Sequence, residues 1–285
     1  MSELQKNPAV PVGDPSAPPA DAPSGNWQSF VAAAQFLTRV PLRRSSHVAG
    51  AALRKSPIFF PLVGTLIGLS TAGVVALGGL FWPAWLAVSL GLAFEARLTG
   101  ALHEDALADF CDAFGGGWTR EQTLEILKDS RIGSYGAVAL ILGILLRAGA
   151  MIFLASQYGF WTWGAAIVAA ATASRWIAVL AMVCVAPVSH RESLARDVGA
   201  RLGMRDLLIA GLWGLPGVLP FAIISPLHAA ASCLVVAPLV WWLLQGIERR
   251  LGGITGDCLG FLTFVSQVAI LLVAAAQLDF WKALP

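Results

Sequence analysis

Ser134–Ser156 reads SYGAVALILGILLRAGAMIFLAS, an apolar run of 23 residues interrupted by one charge, Arg147. Coiled as a helix at about 1.5 Å per residue it is roughly 35 Å long, enough to cross the hydrocarbon core of a bilayer. Lipid offers no partner for backbone N–H and C=O groups, so an isolated apolar segment of this length must satisfy them within itself, as a helix does. Runs of the same character recur at 57–80, 83–101, 160–187, 207–224, 227–246 and 257–279. The expected fold is therefore all-α: a polytopic membrane protein of about seven transmembrane helices with short cytoplasmic or interfacial helices between them. Composition agrees, since 57% of the chain is hydrophobic and 13% charged, with a mean hydropathy of +0.71, whereas soluble chains are about 25% charged.

Residues 1–26 are rich in Pro, Ala, Ser and Asp and hold no apolar core, so they read as a disordered tail rather than a signal peptide. Residues 27–285 then form the integral membrane domain. Its first segment, Trp27–Leu42, is too short to span once Pro41 stops it, and reads as an interfacial or re-entrant helix. The net charge of +2 and the lack of a long basic tract exclude nucleic acid as a partner. Cys111, Cys184, Cys233 and Cys258 lie far apart in or beside apolar runs and read as small apolar fillers.

Lys and Arg alternate sharply between the connecting loops. One set holds Arg39, Arg43, Arg44, Arg54 and Lys55, then Arg120, Lys128 and Arg131, then Arg191, Arg196, Arg201 and Arg205, then Arg249 and Arg250. The other set, near Trp82, Gln157, Ser225 and the C-terminus, carries only Lys282. By the positive-inside rule the first set is cytoplasmic, as is the N-terminus, and seven spans place the C-terminus outside. Every concentration of polar chemistry falls on that cytoplasmic side: HEDALADFCD, KDSRIG, the loop Ser189–Asp206 and GGITGD. A carrier would need polar groups along both halves of the membrane path, so the asymmetry favours an enzyme.

Its centre is expected at Leu102–Gly117, LHEDALADFCDAFGGG, where Asp105, Asp109 and Asp112 are spaced i, i+4, i+7. On a helix they share an arc of about 60°. Carboxylates stacked so closely repel unless they are well solvated or a cation sits among them, and hard oxygen ligands favour Mg2+. Gly115, Gly116 and Gly117 would let backbone approach an anion closely. His103 lies about 160° from Asp105, outside the ligand set, and reads as backbone-bonded or solvent-facing. Glu104 lies off the arc and is at best an outer contact.

Around this face the cations are placed for phosphate. Thr119–Ser130 reads as a short helix opened by a Thr119/Gln122 capping box, ending in Lys128, Asp129 and Arg131 beside the membrane. Lys128 and Arg131 would clamp phosphate, with Asp129 as an additional metal ligand or base. Arg147 and Arg175 fall inside spans, where each needs a carboxylate, a watery cavity or a substrate phosphate. Arg175 is the better substrate contact, and Arg147 the better structural interhelical bond. Asp257 reads as the N-cap of the last span, available as a further metal or substrate contact.

These motifs carry a resemblance. FLTRVPL at Phe36–Leu42, FPLVGTLIG at Phe60–Gly68, TGALHEDALADFCDAFGGG at Thr99–Gly117, LKDSRIGSYG at Leu127–Gly136, SRW at Ser174–Trp176 and LGGITGDCLG at Leu251–Gly260 resemble the cobalamin synthase family in family order. The resemblance implies a bacterial inner-membrane transferase. It would move the adenosylcobinamide phosphate group from adenosylcobinamide-GDP to α-ribazole or α-ribazole 5′-phosphate, with Mg2+ and release of GMP. It further implies that Asp105, Asp109 and Asp112 hold the metal and the diphosphate. On the residues themselves, Asp129 or one of these three would take the proton of the attacking hydroxyl. Oligomeric state is left open.

Two other readings stand beside it. The aspartate spacing is related to that of CDP-alcohol phosphotransferases, and a membrane carrier could use aspartates as a gate. The chain also departs from the family pattern, which has glycine after the first and third aspartates, where Ala106 and Ala113 stand here. Two methyl groups at the edge of the acidic face could narrow the substrate's approach or stiffen the helix.

Overall fold

The structure is a computed structural model and describes residues 25–41, 50–188 and 202–278. Residues 1–24 of the expected tail, Leu42, Arg43, Arg44, most of the loop from Ser189 to Asp206 and Lys282 lie outside these, whereas Asn26, the last residue of that tail, already opens the first helix. Among the described residues the regular elements are helices: α1 Asn26–Leu37, α2 Gly50–Lys55, a 3-10 turn Ser56–Phe59, α3 Phe60–Gly79, α4 Ala84–Thr99, α5 Leu102–Gly116, α6 Arg120–Ile126, α7 Ser134–Gln157, α8 Phe160–Cys184, α9 Met204–Ile224, α10 Pro226–Leu251 and α11 Gly256–Ala274. The only extended pairing among them is an isolated bridge between Pro187 and Ile254.

Six helices are individually long and apolar enough to span, and the count reaches seven if α4 and α5 form one span bent by 85°. The run expected to span at 83–101 is thus half of a broken element. The break has a local cause: Gly100 (φ 71°) and Ala101 (φ 57°) are both left-handed, which ends α4 and redirects the chain. Glycine accepts this conformation freely, whereas Ala101 pays for it. A side chain at Gly100 would also run into the Arg39 guanidinium. The acidic motif is therefore swung across the end of α4.

α3, α8 and α11 form the buried centre, and α7, α9 and α10 leave most of their apolar surface facing outward. Small residues bring the central helices together, since dispersion rather than water exclusion drives packing in lipid. A Cβ on Gly64 would lie 2.6 Å from the Ala171 carbonyl oxygen, and one on Gly68 2.8 Å from Val168 Cα. Thr65 and Thr172 hydroxyls meet at 3.0 Å in the same seam. Pro216 and Pro220 sit within α9 and Pro238 within α10.

Crossing contacts tie several helix ends into one end of the bundle. The Arg39 N–H donates to the Leu98 carbonyl at 2.7 Å, Arg120 Nε to the last carbonyl of α10, Leu251, at 2.7 Å, and Arg250 to the Trp118 carbonyl at 3.0 Å. The Ile254 N–H donates to Ala186 O at 2.9 Å. Cations at helix C-termini complete carbonyls that have no partner in their own helix. At the opposite end His228 meets the Ala276 carbonyl at 3.0 Å. Helix α1 ends at Leu37, before Pro41, because Thr38 is already extended. Helix α6 ends at Ile126, short of Ser130, while its Thr119/Gln122 capping box forms as expected.

Candidate active site

Helix α5 brings the acidic face to the tied end of the bundle. Asp105 is exposed and Asp109 half-buried. Asp105, His103, Arg175 and Asp257 line one cavity of about 140 Å3, whose remaining wall includes Phe60, Ala106 and Gly260. Its volume equals that of about four or five waters at roughly 30 Å3 each, the scale of a phosphate with its solvent rather than of a large ring. Asp257 reaches it from the first turn of α11, and the N-cap expected of it is Thr255, whose hydroxyl accepts the Cys258 N–H at 3.3 Å. Threonine wins that position because its backbone is extended there, as an N-cap requires, and its hydroxyl faces the open amides.

Arg175 is 1% exposed. Its guanidinium donates to Gln267 Oε1 at 2.5 Å, the Ser174 hydroxyl at 3.1 Å and the Ala171 carbonyl at 3.2 Å, and Nη2 faces His103 Nδ1 at 3.5 Å. Its Nε has no hydrogen-bond partner among the described residues. His103 is buried and has no backbone partner among the described residues, because the bend at Ala101 turns this position inward onto α8.

Arg147 makes the structural interhelical bond, but with a residue the sequence reading passed over. Its Nη2 lies 2.6 Å from Glu95 Oε1 and its Nη1 3.3 Å from Glu104 Oε1. Thr71 donates its hydroxyl to the other Glu95 oxygen at 2.9 Å. An available signal pointed to Glu95: it is the one carboxylate within the apolar run 83–101, and an acid in lipid calls for a cation. Gln267, equally unforeseen, is a polar side chain inside the last apolar run.

The other expected residues spread outward. Lys128 is exposed beyond α6. Arg131 turns back on Asp129, with Nη2–Oδ2 at 2.6 Å and Nε–Oδ1 at 3.0 Å. These hydrogen bonds hold the Asp129 carboxyl below its ordinary range, at about 2. The Asp112 carboxylate accepts the backbone N–H groups of Gly133 at 2.7 Å and Gly136 at 2.9 Å. The glycines after the acidic face serve packing: a Cβ on Gly115 would lie 2.6 Å from the Tyr135 ring and one on Gly117 2.7 Å from the Thr123 hydroxyl.

A family model described as cobalamin-5-phosphate synthase matches residues 29–275. The chain belongs to the cobalamin-5-phosphate synthase family. Among its relatives, an adenosylcobinamide-GDP ribazoletransferase of Ralstonia nicotianae is 38% identical over 242 residues, 85% of this chain and 92% of the relative. One of Ralstonia pickettii is 38% identical over 251 residues, 86% and 94% respectively. One of Shewanella sp. (strain W3-18-1) is 37% identical over 245 residues, 86% and 92%. No solved structure matches the chain.

The departures from the family pattern at Ala106 and Ala113 have a structural place. A Cβ added to Gly260 would overlap the Ala106 methyl, so that methyl packs into the groove α11 leaves open at Gly260. Ala113 is fully buried. Whether the donor set of this family member suits Mg2+ is decided by its chemistry. No three His, Cys, Asp or Glu side chains among the described residues converge as a ready-made metal cluster. Magnesium commonly takes one or two carboxylates and completes its octahedron with waters and substrate phosphates. Asp105, which lines the phosphate-sized cavity, and Asp109, one helical turn further along α5, fit that demand.

Proposed function

We propose that this family member transfers the adenosylcobinamide phosphate group from adenosylcobinamide-GDP to α-ribazole or its 5′-phosphate, releasing GMP, in a Mg2+-dependent reaction at the cytoplasmic face of the bacterial inner membrane. The observation that carries the reading is the shared cavity, which Asp105, Asp257 and the buried Arg175 all line. Phosphoryl transfer asks a protein mainly for positioning and charge neutralisation.

In this reading the acceptor hydroxyl oxygen forms a bond to the phosphorus carrying adenosylcobinamide. The bond from that phosphorus to the bridging oxygen breaks, and GMP leaves with the electron pair. Asp105 and Asp109 would hold the magnesium ion, which supplies neutralisation of the diphosphate charge. Arg175, fixed by Gln267 and Ser174, presents positive charge to the phosphate entering the cavity. Lys128 meets the GDP end from outside. The proton of the attacking hydroxyl goes to a carboxylate of the α5 face rather than to Asp129, whose pairing with Arg131 makes it a weak base at neutral pH. The corrin ring stays outside the cavity, with only the diphosphate end inserted.

The test is GMP release by purified enzyme given adenosylcobinamide-GDP with each acceptor, with and without Mg2+, beside CDP-diacylglycerol with an alcohol acceptor. Release should require the corrinoid donor and the metal, and Asp105→Asn and Asp109→Asn should abolish it. Turnover of CDP-diacylglycerol alone, or full activity in both variants, would overturn the proposal.

A further inference from the structure

Asp112 shares the acidic face in sequence but not in contacts. Its Oδ2 accepts the N–H of Gly133 at 2.7 Å and its Oδ1 the N–H of Gly136 at 2.9 Å. Gly133 is the N-cap of α7, and Gly136 is the third residue of that helix. These amides belong to the set that no helix can satisfy internally at its start. An Asp or Ser at the N-cap would ordinarily serve the third residue itself. Here the N-cap is glycine, no side chain of its own caps the helix, and the carboxylate arrives from α5.

The surrounding sequence is shaped to admit it. A Cβ at either Gly133 or Gly136 would run into the Asp112 carboxylate, and one at Gly136 would also lie 2.7 Å from the Ala108 carbonyl oxygen. Two glycines three residues apart therefore open a slot in the first turn of α7, and Asp112 fills it. The positive end of a 24-residue helix further favours a charged acceptor there.

We propose that Asp112 is a positioning residue, a cap supplied in trans that fastens the start of α7 to the acidic helix, and that it is not a ligand of the magnesium ion. Residues 127–133, carrying Lys128 and Arg131, run between α6 and this anchored amide. Fixing their far end to α5 holds both cations in register with Asp105 and Asp109. The inference deepens the proposed function, on which only its metal-binding arm rests.

The experiment compares wild type, Asp112→Asn, Asp105→Asn and Gly136→Ala in the full-length, detergent-solubilised enzyme without nucleotide. The first readout is hydrogen exchange of the amides at 133–136 without metal. Asp112→Asn should speed it by about tenfold or more, the equivalent of losing a charge-assisted hydrogen bond, because an amide offers one acceptor where two N–H groups need two. Asp105→Asn should leave it unchanged. Gly136→Ala should reproduce the acceleration with every carboxylate intact, which covers the case of Asp112→Asn failing to fold.

The second readout is binding of Mn2+ as a probe. Asp105→Asn should weaken it by more than about tenfold, whereas Asp112→Asn and Gly136→Ala should stay below the ~10-fold that even outer partners of a metal can cost. Unchanged exchange in Asp112→Asn together with a loss of Mn2+ affinity equal to that of Asp105→Asn would overturn the proposal. Failure of wild type to bind Mn2+ at all would count against the magnesium reading and leave exchange to decide the cap.

Discussion

Arg147 of α7 binds Glu95 of α4 at 2.6 Å, with both side chains about 95% removed from solvent. Glu104 joins from α5 at 3.3 Å, so one guanidinium links three helices around the bend that aims the acidic face. Removing one partner of a buried pair leaves the other charge uncompensated, at a typical cost of about 3–5 kcal/mol. Glu95→Ala and Arg147→Ala are expected to lower thermal stability in detergent by that order. The apolar double replacement Glu95→Leu/Arg147→Met should recover part of the loss, and a double variant no more stable than its worse single parent would contradict this account.

The α3–α8 seam predicts opposite effects at two glycines of one helix. Gly64→Ala drives a methyl to 2.6 Å from the Ala171 carbonyl oxygen, and overpacking of this kind costs about 1–3 kcal/mol. Gly73 has nothing within 4 Å of where a Cβ would stand. Alanine there should be neutral or add up to about 1 kcal/mol through helix propensity. Unfolding midpoints of the two variants check both signs.

The Asp129–Arg131 pair should show in a titration. The carboxyl of Asp129 is held at about 2 by the Arg131 hydrogen bonds, below an ordinary value of 3.8. Because the folded value is the lower one, the pair's contribution is complete above the ordinary value and fades as pH falls through about 2. Carbon-13 shifts of the Asp129 carboxyl should give a midpoint near 2 in wild type and near 3.8 in Arg131→Ala. If Asp129 is not the base, Asp129→Asn should leave the shape of the pH–rate profile unchanged above pH 5.

Sidedness follows from the charged loops and the tied ends. Reporter fusions at Trp82, Gln157 and Ser225 are expected to read as external, and one at Gly117 as cytoplasmic. Gly117 follows α5, whose Asp112 holds the start of α7, so on the seven-span reading α4 and α5 together bring the chain across. Matching signals at Trp82 and Gly117 would make the bent pair a re-entrant loop and remove the seventh crossing.

Much of this fold is legible in the sequence, and the reason is physical. Lipid demands that backbone groups be satisfied within a segment, so apolar length alone located Ser134–Gln157 and five counterparts, though not the break at Gly100 and Ala101. The capping box at Thr119 and Gln122 and the face at Asp105 and Asp109 are local consequences of 3.6 residues per turn. Long-range choices were not legible. The sequence determined that Arg147 and Arg175 needed partners inside the membrane, but only the tertiary structure decided that Glu95 and Glu104 serve one and Gln267 and His103 the other. Helical periodicity likewise put Asp112 beside Asp105, while the first turn of α7, 24 residues further on, claimed its carboxylate. Local periodicity sets which way a side chain leaves its own helix, and the packing of a second helix sets what it meets.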